Sequence, residues 1–207
     1  MEGCDMEGKQ SMSIKECLLD RNNTGCLNGE AIGEAVLASG DERLYEERDT
    51  GIDTIIIHYI SAAEREPKSP FDLNEILRIF IDFGVSSHYL ITREGCIYRL
   101  VPEAKKAWHC GGSIMPEPDN REGVNRFSIG IEFAATQISG FTEEQYDSGA
   151  FLCSDIEKRR GRLKYAGHED VAGSRAVSMG LRKDVKTDPG PLFDWSGFNE
   201  RIENWRV

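Results

Sequence analysis

Apolar runs along the chain predict two core strands and a shorter third strand. The segment DTIIIHYI (53–60) is an almost continuous β-branched run, which is typical of a strand buried on both faces. FSIGIEFA (127–134) predicts another core strand, and this one carries a single acidic residue, Glu132. LKYAGHED predicts a short strand that ends at His168. His58 and His168 therefore stand at the C-terminal ends of predicted strands.

The spacing of apolar residues outside these strands predicts helices and a hairpin. Apolar residues recur at helical spacing over 71–84, and a capping pattern at Thr142 begins a second helix that ends at Gly161. Two short apolar runs on either side of the turn REG indicate a hairpin over 87–101. A partial helical period predicts a further helix over 28–40.

The first part of the chain shows no sustained period. Residues 1–25 are polar and acidic, so we expect a mobile or loosely docked arm. A chain of 207 residues is long enough for one ordinary domain with an accessory segment. We therefore predict an N-terminal arm over 1–45 and a single domain over 46–207.

Charge and composition exclude some classes of partner. The chain has 25 Lys and Arg against 36 Asp and Glu, and 25 − 36 = −11, which argues against nucleic acid or an anionic membrane as partner. There is no apolar run of membrane-spanning length, no secretory signal pattern and no CxxC pair among the six cysteines. These features predict a cytoplasmic protein with reduced thiols; a signal removed from the sequence would instead make it periplasmic or secreted.

Two of the histidines and one aspartate suggest a metal site. The four histidines are His58, His88, His109 and His168. Open α/β sheets place their sites at the C-terminal ends of strands, where His58 and His168 are predicted to lie. Asp188 precedes Pro189, which holds it on a stiff, non-helical loop. Two imidazoles and a carboxylate are a common ligand set for catalytic zinc, with water in the fourth position. The structural alternative is two core histidines and a helix-capping aspartate.

Five ordered segments carry a resemblance to a known family. IIIHYIS, SSHYLITREGCIYRLVPEAKKAWHCG, FSIGIEF, AGHEDVA and KTDPGPLFDW resemble the type 2 N-acetylmuramoyl-L-alanine amidases, in particular their bacterial AmpD-like branch, over about residues 45–200. The resemblance implies an α/β fold with a mixed central β-sheet flanked by helices, shared with peptidoglycan recognition proteins. It also implies zinc-dependent cleavage of the amide between N-acetylmuramic acid and the L-alanine of the stem peptide.

The resemblance assigns roles to individual residues of this chain. The family's zinc ligands fall on His58, His168 and Asp188, which would hold one zinc ion per chain. Its catalytic glutamate falls on Glu132 and its catalytic lysine on Lys186. Glu132 would accept a proton from the attacking water, and Lys186 would stabilise the oxyanion.

The residues themselves leave structural alternatives open for these roles. Glu132 could form an ion pair with Arg126 or Arg175, and Lys186 could be a solvated loop lysine. His88 follows the start of a predicted strand, where a hydrogen-bonded structural histidine is more common than a ligand.

Substrate contacts are expected from two segments. Trp108 and His109, which precede a pair of glycines, are expected to line the substrate cleft. The second histidine and the aspartate are 188 − 168 = 20 residues apart, a longer separation than in the family, and Val185 stands where the family has an arginine. The partners expected for the peptide carboxylates are Arg175, Arg182 and Lys183.

These observations predict a zinc amidase that acts on muropeptides. Soluble 1,6-anhydro-muropeptides, as in cell-wall recycling, are favoured by the acidic charge over polymeric peptidoglycan. The alternative from another class is a non-catalytic muropeptide-recognition protein. The sequence gives no indication of an oligomeric state.

Overall fold

The computed structural model describes residues 12–19, 44–61 and 70–206. The helix predicted over 28–40 lies outside these residues. The described strands are β1 (Ile14–Glu16), β2 (Tyr45–Glu47), β3 (Thr54–Tyr59), β4 (Tyr89–Ile91), β5 (Ile97–Arg99), β6 (Lys105–Ala107), β7 (Ser128–Phe133) and β8 (Lys164–Gly167). The described α-helices are α1 (Leu73–Asp82), α2 (Glu143–Arg160), α3 (His168–Ala172), α4 (Ser174–Ser178) and α5 (Trp195–Trp205).

Six of these strands form one mixed sheet in the order β1-β5-β4-β7-β3-β8. Strands β4 and β5 pair antiparallel, as the hairpin prediction requires, and every other pair in this sheet is parallel. Strands β2 and β6 form a separate antiparallel pair. The prediction of a mixed central sheet flanked by helices is confirmed, and the strands predicted over 53–60 and 127–134 are its neighbouring strands β3 and β7.

The two central strands present different chemistry on their two faces. Successive side chains of a strand point to opposite faces. One face packs against α2 and α5 and carries Ile55, Ile57 and Tyr59 of β3 with Ile129, Ile131 and Phe133 of β7. The opposite positions of β7 are Ser128, Gly130 and Glu132, and Glu132 is the register partner of His58. The sheet therefore has one apolar face and one face with room for a polar site.

The flanking helices follow the predicted patterns. At the start of α2, the backbone N–H of Gln145 donates to Thr142 Oγ1 at 3.1 Å, and the N–H of Thr142 donates to Gln145 Oε1 at 3.1 Å. This capping box satisfies two N–H groups that the first helical turn leaves unpaired. On the other side of the sheet, α1 buries Ile76, Leu77 and Phe80 in a second core cluster. Both long helices predicted within the described residues are confirmed.

Part of the N-terminal segment belongs to the sheet. Ile14–Glu16 pairs in parallel with β5, and the N–H groups of Cys17 and Leu19 donate to Arg99 O and Leu100 O at 2.9 and 2.7 Å. Cys17 and Leu19 are buried. For these residues the expectation of a mobile or loosely docked arm is wrong, because a three-residue edge strand is too short to show a period. The boundary at residue 45 stays a prediction.

Arg48 ties the start of the domain to the polar side of the sheet. Its guanidinium donates to the carbonyl oxygens of Lys105 and Ser128 at 2.8 and 2.9 Å, and also to those of Glu103, Asn125 and Arg126. Burial, and then the charge of Arg160, lower the pKa of Arg48 to about 10, so the group stays charged at neutral pH. One side chain thus connects β6, the 3-10 turn Val124–Arg126 and the first residue of β7.

We predict that Arg48→Met lowers the free energy of unfolding by at least about 2 kcal/mol, because several carbonyls lose their donor while the side-chain stem is retained. Urea denaturation measures the change. Arg78→Met on α1 is the matched control and should stay within about 0.5 kcal/mol, since Arg78 is exposed and, among the described residues, pairs with Glu75 one helical turn away. Equal stability of the two variants would contradict a structural role for Arg48.

Candidate metal centre and active site

The site lies where three parallel strands end at the same edge of the sheet. His58 is the fifth residue of β3, Glu132 is its partner on β7, and His168 directly follows β8. Strand β8 ends at Gly167, one residue earlier than predicted. The N–H of Gly167 donates to Asp170 Oδ2 at 2.7 Å, and helix α3 begins at His168. The helix start fixes the His168 side chain beside the end of β3.

Asp188 comes from a non-helical loop that docks on α3. The N–H of Glu169 donates to the carbonyl of Asp188 at 2.8 Å, and the N–H of Lys186 donates to that of Ala172 at 3.0 Å. A Cβ on Gly167 would lie 2.7 Å from Cδ of Pro189, so glycine permits this close approach. Two backbone hydrogen bonds and a tight contact therefore hold the Asp188 carboxylate in place.

Three electron-donating atoms of these residues lie at equal distances. His58 Nδ1, His168 Nδ1 and Asp188 Oδ2 are each 3.1 Å from the other two. All three side chains are buried. Two ligands at about 2.0–2.1 Å from a tetrahedral zinc ion would be about 3.3 Å apart, close to the observed separation. The spacing therefore fits a small divalent metal ion.

The hydrogen bonds and charges of the three groups also suit a cation. The Nε2–H of His168 donates to the carbonyl of Cys110 at 3.2 Å, which leaves its Nδ1 as a lone pair. Burial, and then the charge of His168, lower the pKa of His58 to about 4, so His58 is neutral at pH 7. Burial alone would raise the pKa of Asp188, but His168 and His58 hold it below its ordinary value. The site thus directs two imidazole nitrogens and a carboxylate oxygen towards one point.

Within the described residues, Glu132 is a carboxylate without a partner. Its side chain is only partly shielded, but Oε2 is buried and accepts no hydrogen bond from any of those residues. Burial, and then the nearby charge of Asp188, raise the pKa of Glu132 well above its usual range, and Lys186 opposes this shift. A carboxyl group with a raised pKa beside a metal site is suited to proton transfer.

The structural alternatives for Glu132 and Asp188 were an ion pair and a helix cap, and other residues make these contacts. Arg126 pairs with Asp49 at 3.0 Å, and Arg175 does not contact Glu132 but donates to Met115 O. The aspartate that caps the helix following the Asp188 loop, α5, is Asp194, which accepts from the N–H of Gly197 at 3.0 Å. Among the described residues, Glu132 has no ion-pair partner and the Asp188 side chain caps no helix.

An open cleft of about 240 Å³ leads to the three donors. His109, His168, Glu132, Lys186 and Asp188 form its polar part. Residues of α1 and of the segment after it, including Phe80, Phe83 and Val85, form an apolar wall. Lys186 Nζ lies 3.5 Å from Ser61 Oγ, and both residues line the cleft. Four of the five residues assigned to metal binding and catalysis therefore line the cleft. The fifth, His58, contacts His168 and Asp188.

The three residues predicted to bind substrate are placed differently. His109 lines the cleft. Trp108 packs in the second core cluster and donates from Nε1 to Glu46 Oε1 at 3.0 Å, and it is not among the described residues that line the cleft. The guanidinium of Arg175 contacts Met115 O and Asn120 Oδ1. Substrate binding by Trp108 and Arg175 stays a prediction, and their observed contacts do not support it.

The lengthened segment before Asp188 packs on a neighbouring loop. Within this segment, the guanidinium of Arg182 donates to the carbonyls of Cys110 and Gly112 at 3.2 and 3.4 Å. Lys183 is exposed. Among the described residues that line the cleft, none comes from 173–185.

His88 has the contacts of a structural histidine. The N–H of Gly130 donates to its Nδ1 at 3.0 Å, and its Nε2–H donates to the carbonyl of Lys105 at 3.1 Å. Burial, and then the charge of Arg48, lower the pKa of His88 to about 3, so the ring is neutral.

A second group of potential ligands shares His58. His58, His109 and Cys110 also present donor atoms close together. Burial raises the pKa of the Cys110 thiol well above its usual range, so it does not supply the thiolate that metals prefer. The two imidazoles of this group contact each other through a hydrogen bond of 3.0 Å. The set His58, His168 and Asp188 is the better metal site.

Buried imidazole and carboxylate donors beside an unpaired glutamate are the arrangement found in metal-dependent hydrolases. The sequence model of the family described as N-acetylmuramoyl-L-alanine amidase (Amidase_2) matches residues 48–191. The chain belongs to this family.

Individual relatives agree with this assignment. The protein called 1,6-anhydro-N-acetylmuramyl-L-alanine amidase AmpD from Salmonella typhimurium (strain SL1344) is 39% identical over 118 residues, which are 57% of this chain and 57% of AmpD. The matched region thus spans little more than half the length of that curated relative. A crystal structure of a selenomethionine AmpD derivative has a TM-score of 0.59 and 31% identity, covering 77% of this chain and 90% of that one.

A substrate complex is also similar. It contains AmiD from E. coli with the substrate anhydro-N-acetylmuramic acid-L-Ala-D-gamma-Glu-L-Lys, and it has a TM-score of 0.56 and 27% identity over 75% of this chain and 60% of AmiD.

Two further sequence expectations concern the environment of the protein. No helix in residues 12–19, 44–61 and 70–206 has both the length and the apolar character that crossing a bilayer requires. Among the described residues, Cys96, Cys110 and Cys153 are free thiols. A cytoplasmic location stays a prediction.

We predict that the protein binds about one divalent metal ion per chain through His58, His168 and Asp188. Asp188→Ala and His168→Ala should each abolish stoichiometric binding, because two remaining ligands do not hold the ion tightly. Cys110→Ala is the matched control and should bind normally. Elemental analysis after dialysis against zinc measures occupancy. Loss of metal in Cys110→Ala, with retention in Asp188→Ala, would place the ion at the second group instead.

Proposed function

We propose that the protein is a zinc-dependent N-acetylmuramoyl-L-alanine amidase. It hydrolyses the amide between N-acetylmuramic acid, in its 1,6-anhydro form, and the L-alanine of soluble muropeptides, as in cell-wall recycling. The observation that carries this proposal is the convergence of three buried donor atoms, 3.1 Å apart, beside the unpaired carboxyl group of Glu132. The names of AmpD and the AmiD substrate complex support the choice of substrate.

His58, His168 and Asp188 would hold the zinc ion. Zinc bound there would lower the pKa of a water molecule and polarise the carbonyl group of the substrate. Glu132 accepts one proton as water oxygen attacks the carbonyl carbon of the lactyl group. It then delivers that proton to the nitrogen of L-alanine as the C–N bond breaks. The second proton of the water passes from the new carboxylic acid to the amine, so a carboxylate and an ammonium group leave the site.

The environment of Glu132 suits both halves of this proton transfer. Burial and the charge of Asp188 raise its pKa, which makes the carboxylate a stronger base than an exposed glutamate. A divalent cation held by His58, His168 and Asp188 would offset part of this shift, so that Glu132 could lose its proton again. Opposing effects of this kind bring the pKa of a carboxyl group towards neutral pH, where the group can act first as base and then as acid.

Lys186 supports the developing negative charge. It lies on the same docked loop as Asp188, and it lines the cleft. An ammonium group held at the cleft wall favours the oxyanion of the tetrahedral intermediate more than the neutral carbonyl of the substrate. The loop therefore delivers a metal ligand and a cation to the same reacting group.

The complete set of chemical groups argues against a recognition protein that binds without cleavage. Such a protein needs no proton acceptor, whereas Glu132 is kept on a core strand at the cost of burying a carboxyl oxygen without a partner within the described residues. The net charge of −11 weakens association with an anionic wall polymer and favours small fragments.

We predict that Glu132→Gln retains zinc and the fold but lowers kcat by about 10²–10⁴, because glutamine keeps the shape and removes the proton acceptor. Release of stem peptide from an anhydro-muropeptide, followed by liquid chromatography, measures turnover. Glu200→Gln, at an exposed position of α5, is the matched control and should leave kcat unchanged. Wild-type turnover in Glu132→Gln would remove this residue from the mechanism.

We predict that soluble N-acetyl-anhydromuramyl peptides are cleaved with at least about tenfold higher kcat/KM than sacculi. Like-charge repulsion slows the encounter with the polymer, so the difference should shrink as salt screens it. A side-by-side assay of both substrates at low and high ionic strength decides. Equal or faster release from sacculi would favour the alternative, a hydrolase of polymeric peptidoglycan.

A further inference from the structure

We propose that His109 is a positioning residue for the metal ligand His58. It accepts the Nε2–H of His58 and so holds the Nδ1 lone pair of His58 towards the other two donors. The inference rests on the proposed metal site, but it assigns His109 to orientation of a ligand rather than to contact with substrate.

A chain of three buried hydrogen bonds fixes the proton positions. The hydroxyl of Ser128 donates to the carbonyl of Val124 at 2.7 Å, so its oxygen is free to accept. His109 Nε2 lies 3.2 Å from that oxygen and is its donor, which leaves His109 Nδ1 unprotonated. His109 Nδ1 lies 3.0 Å from His58 Nε2, which therefore carries the proton. A neutral His58 with its proton on Nε2 has its lone pair on Nδ1, the atom in the metal triad.

The strand beneath the ring is shaped for His109. A Cβ on Gly130 would lie 2.6 Å from Cγ of His109 and 2.7 Å from its Nδ1. Glycine inside a core strand weakens the strand, and it marks a place where another group approaches the backbone closely. The alternation of Ser128 and Gly130 on this face thus supplies first a hydrogen-bond acceptor and then the space for the imidazole.

The backbone of His109 is held as firmly as its ring. Asn125 Oδ1 accepts from the N–H groups of His109 and Cys110 at 3.2 and 2.8 Å. The exposed fractions are 1% for His58, 7% for His109 and 0% for Ser128, so bulk water has little access to replace a missing partner. Without an acceptor at His109, the Nε2–H of His58 would be buried and unpaired.

The Cys110 thiol is the one competing group that the described residues place at His109 Nδ1. Its sulfur lies 3.1 Å from that nitrogen. A thiol is a weak donor and an imidazole N–H is a stronger one, so His109 Nδ1 accepts from His58 in preference to Cys110. Removal of the thiol should leave the orientation of His58 unchanged.

Two substitutions of similar shape but different polarity separate orientation from packing. Asn at position 109 places its Oδ1 near the position of Nδ1 and keeps an acceptor for His58, whereas Leu fills similar volume and offers none. We expect His109→Leu to raise the zinc Kd about 10–100-fold, as loss of an outer-shell partner does in other metal sites. His109→Asn should restore most of the affinity. Competition with a chromophoric chelator measures Kd without any substrate.

Two further variants act on the same chain of hydrogen bonds in case His109→Leu does not fold. Ser128→Ala removes the acceptor for His109, and Gly130→Ala displaces the ring without removing a polar group; each should weaken zinc binding. Cys110→Ala is the control and should bind zinc as the wild type does. Long-range ¹H–¹⁵N spectra of the metal-free protein should show His58 protonated on Nε2 in the wild type and a mixture of tautomers in Ser128→Ala.

The outcomes are distinct from those that test the proposed function. A folded His109→Leu, or a folded Gly130→Ala, with the wild-type zinc Kd would overturn the positioning role, even if the enzyme is active. Equal losses of affinity in His109→Asn and His109→Leu would also overturn it, because packing would then explain both. A wild-type protein that binds no zinc would instead contradict the proposed function.

Discussion

The mutual repulsion of three lone pairs is the constraint on which the site depends. His58 Nδ1, His168 Nδ1 and Asp188 Oδ2 point at one another across 3.1 Å in a buried setting. Electron-rich atoms at this distance are stable only with a cation or protons between them. Both imidazoles direct Nδ1 towards the carboxylate, so a divalent metal ion is the partner that we propose for this geometry.

The rest of the fold keeps these atoms together. Parallel pairing brings the ends of β3, β7 and β8 to one edge, and the register sets Glu132 beside His58. Two backbone hydrogen bonds dock the loop that carries Asp188: the N–H of Glu169 donates to Asp188 O, and the N–H of Lys186 donates to Ala172 O. On the other side of the ring of His58, the hydrogen bond to His109 prevents rotation away from the metal position. Each donor is thus fixed by a different kind of interaction.

The sequence allowed the main elements and the ligand set to be predicted, for different reasons. Strands β3 and β7 are long apolar runs, and α2 has its own capping box, so local pattern was enough. The ligands His58 and Asp188 lie 130 residues apart, so the strand ends and the proline loop only suggested the set, and the family resemblance selected it over the structural alternative. Local spacing carries no information on contacts across such a distance.

Other residues were not predicted because their partners are far away in the chain. Arg48 contacts carbonyls 55–80 residues later, and nothing around it marks it as different from an exposed arginine. His109 was expected to face substrate, and its link to His58 spans 51 residues. A signal for the latter was present: in SIGIEF, small residues alternate with isoleucine, and Ser128 and Gly130 on one face indicate that something packs closely there.

The most direct test is a crystal structure of the zinc-loaded protein with data collected at the zinc absorption edge. The account predicts one anomalous peak bonded to His58 Nδ1, His168 Nδ1 and Asp188, at about 2.0–2.2 Å from each, with Glu132 facing the open position. An anomalous peak between His58, His109 and Cys110, or the absence of a peak near Asp188, would contradict it.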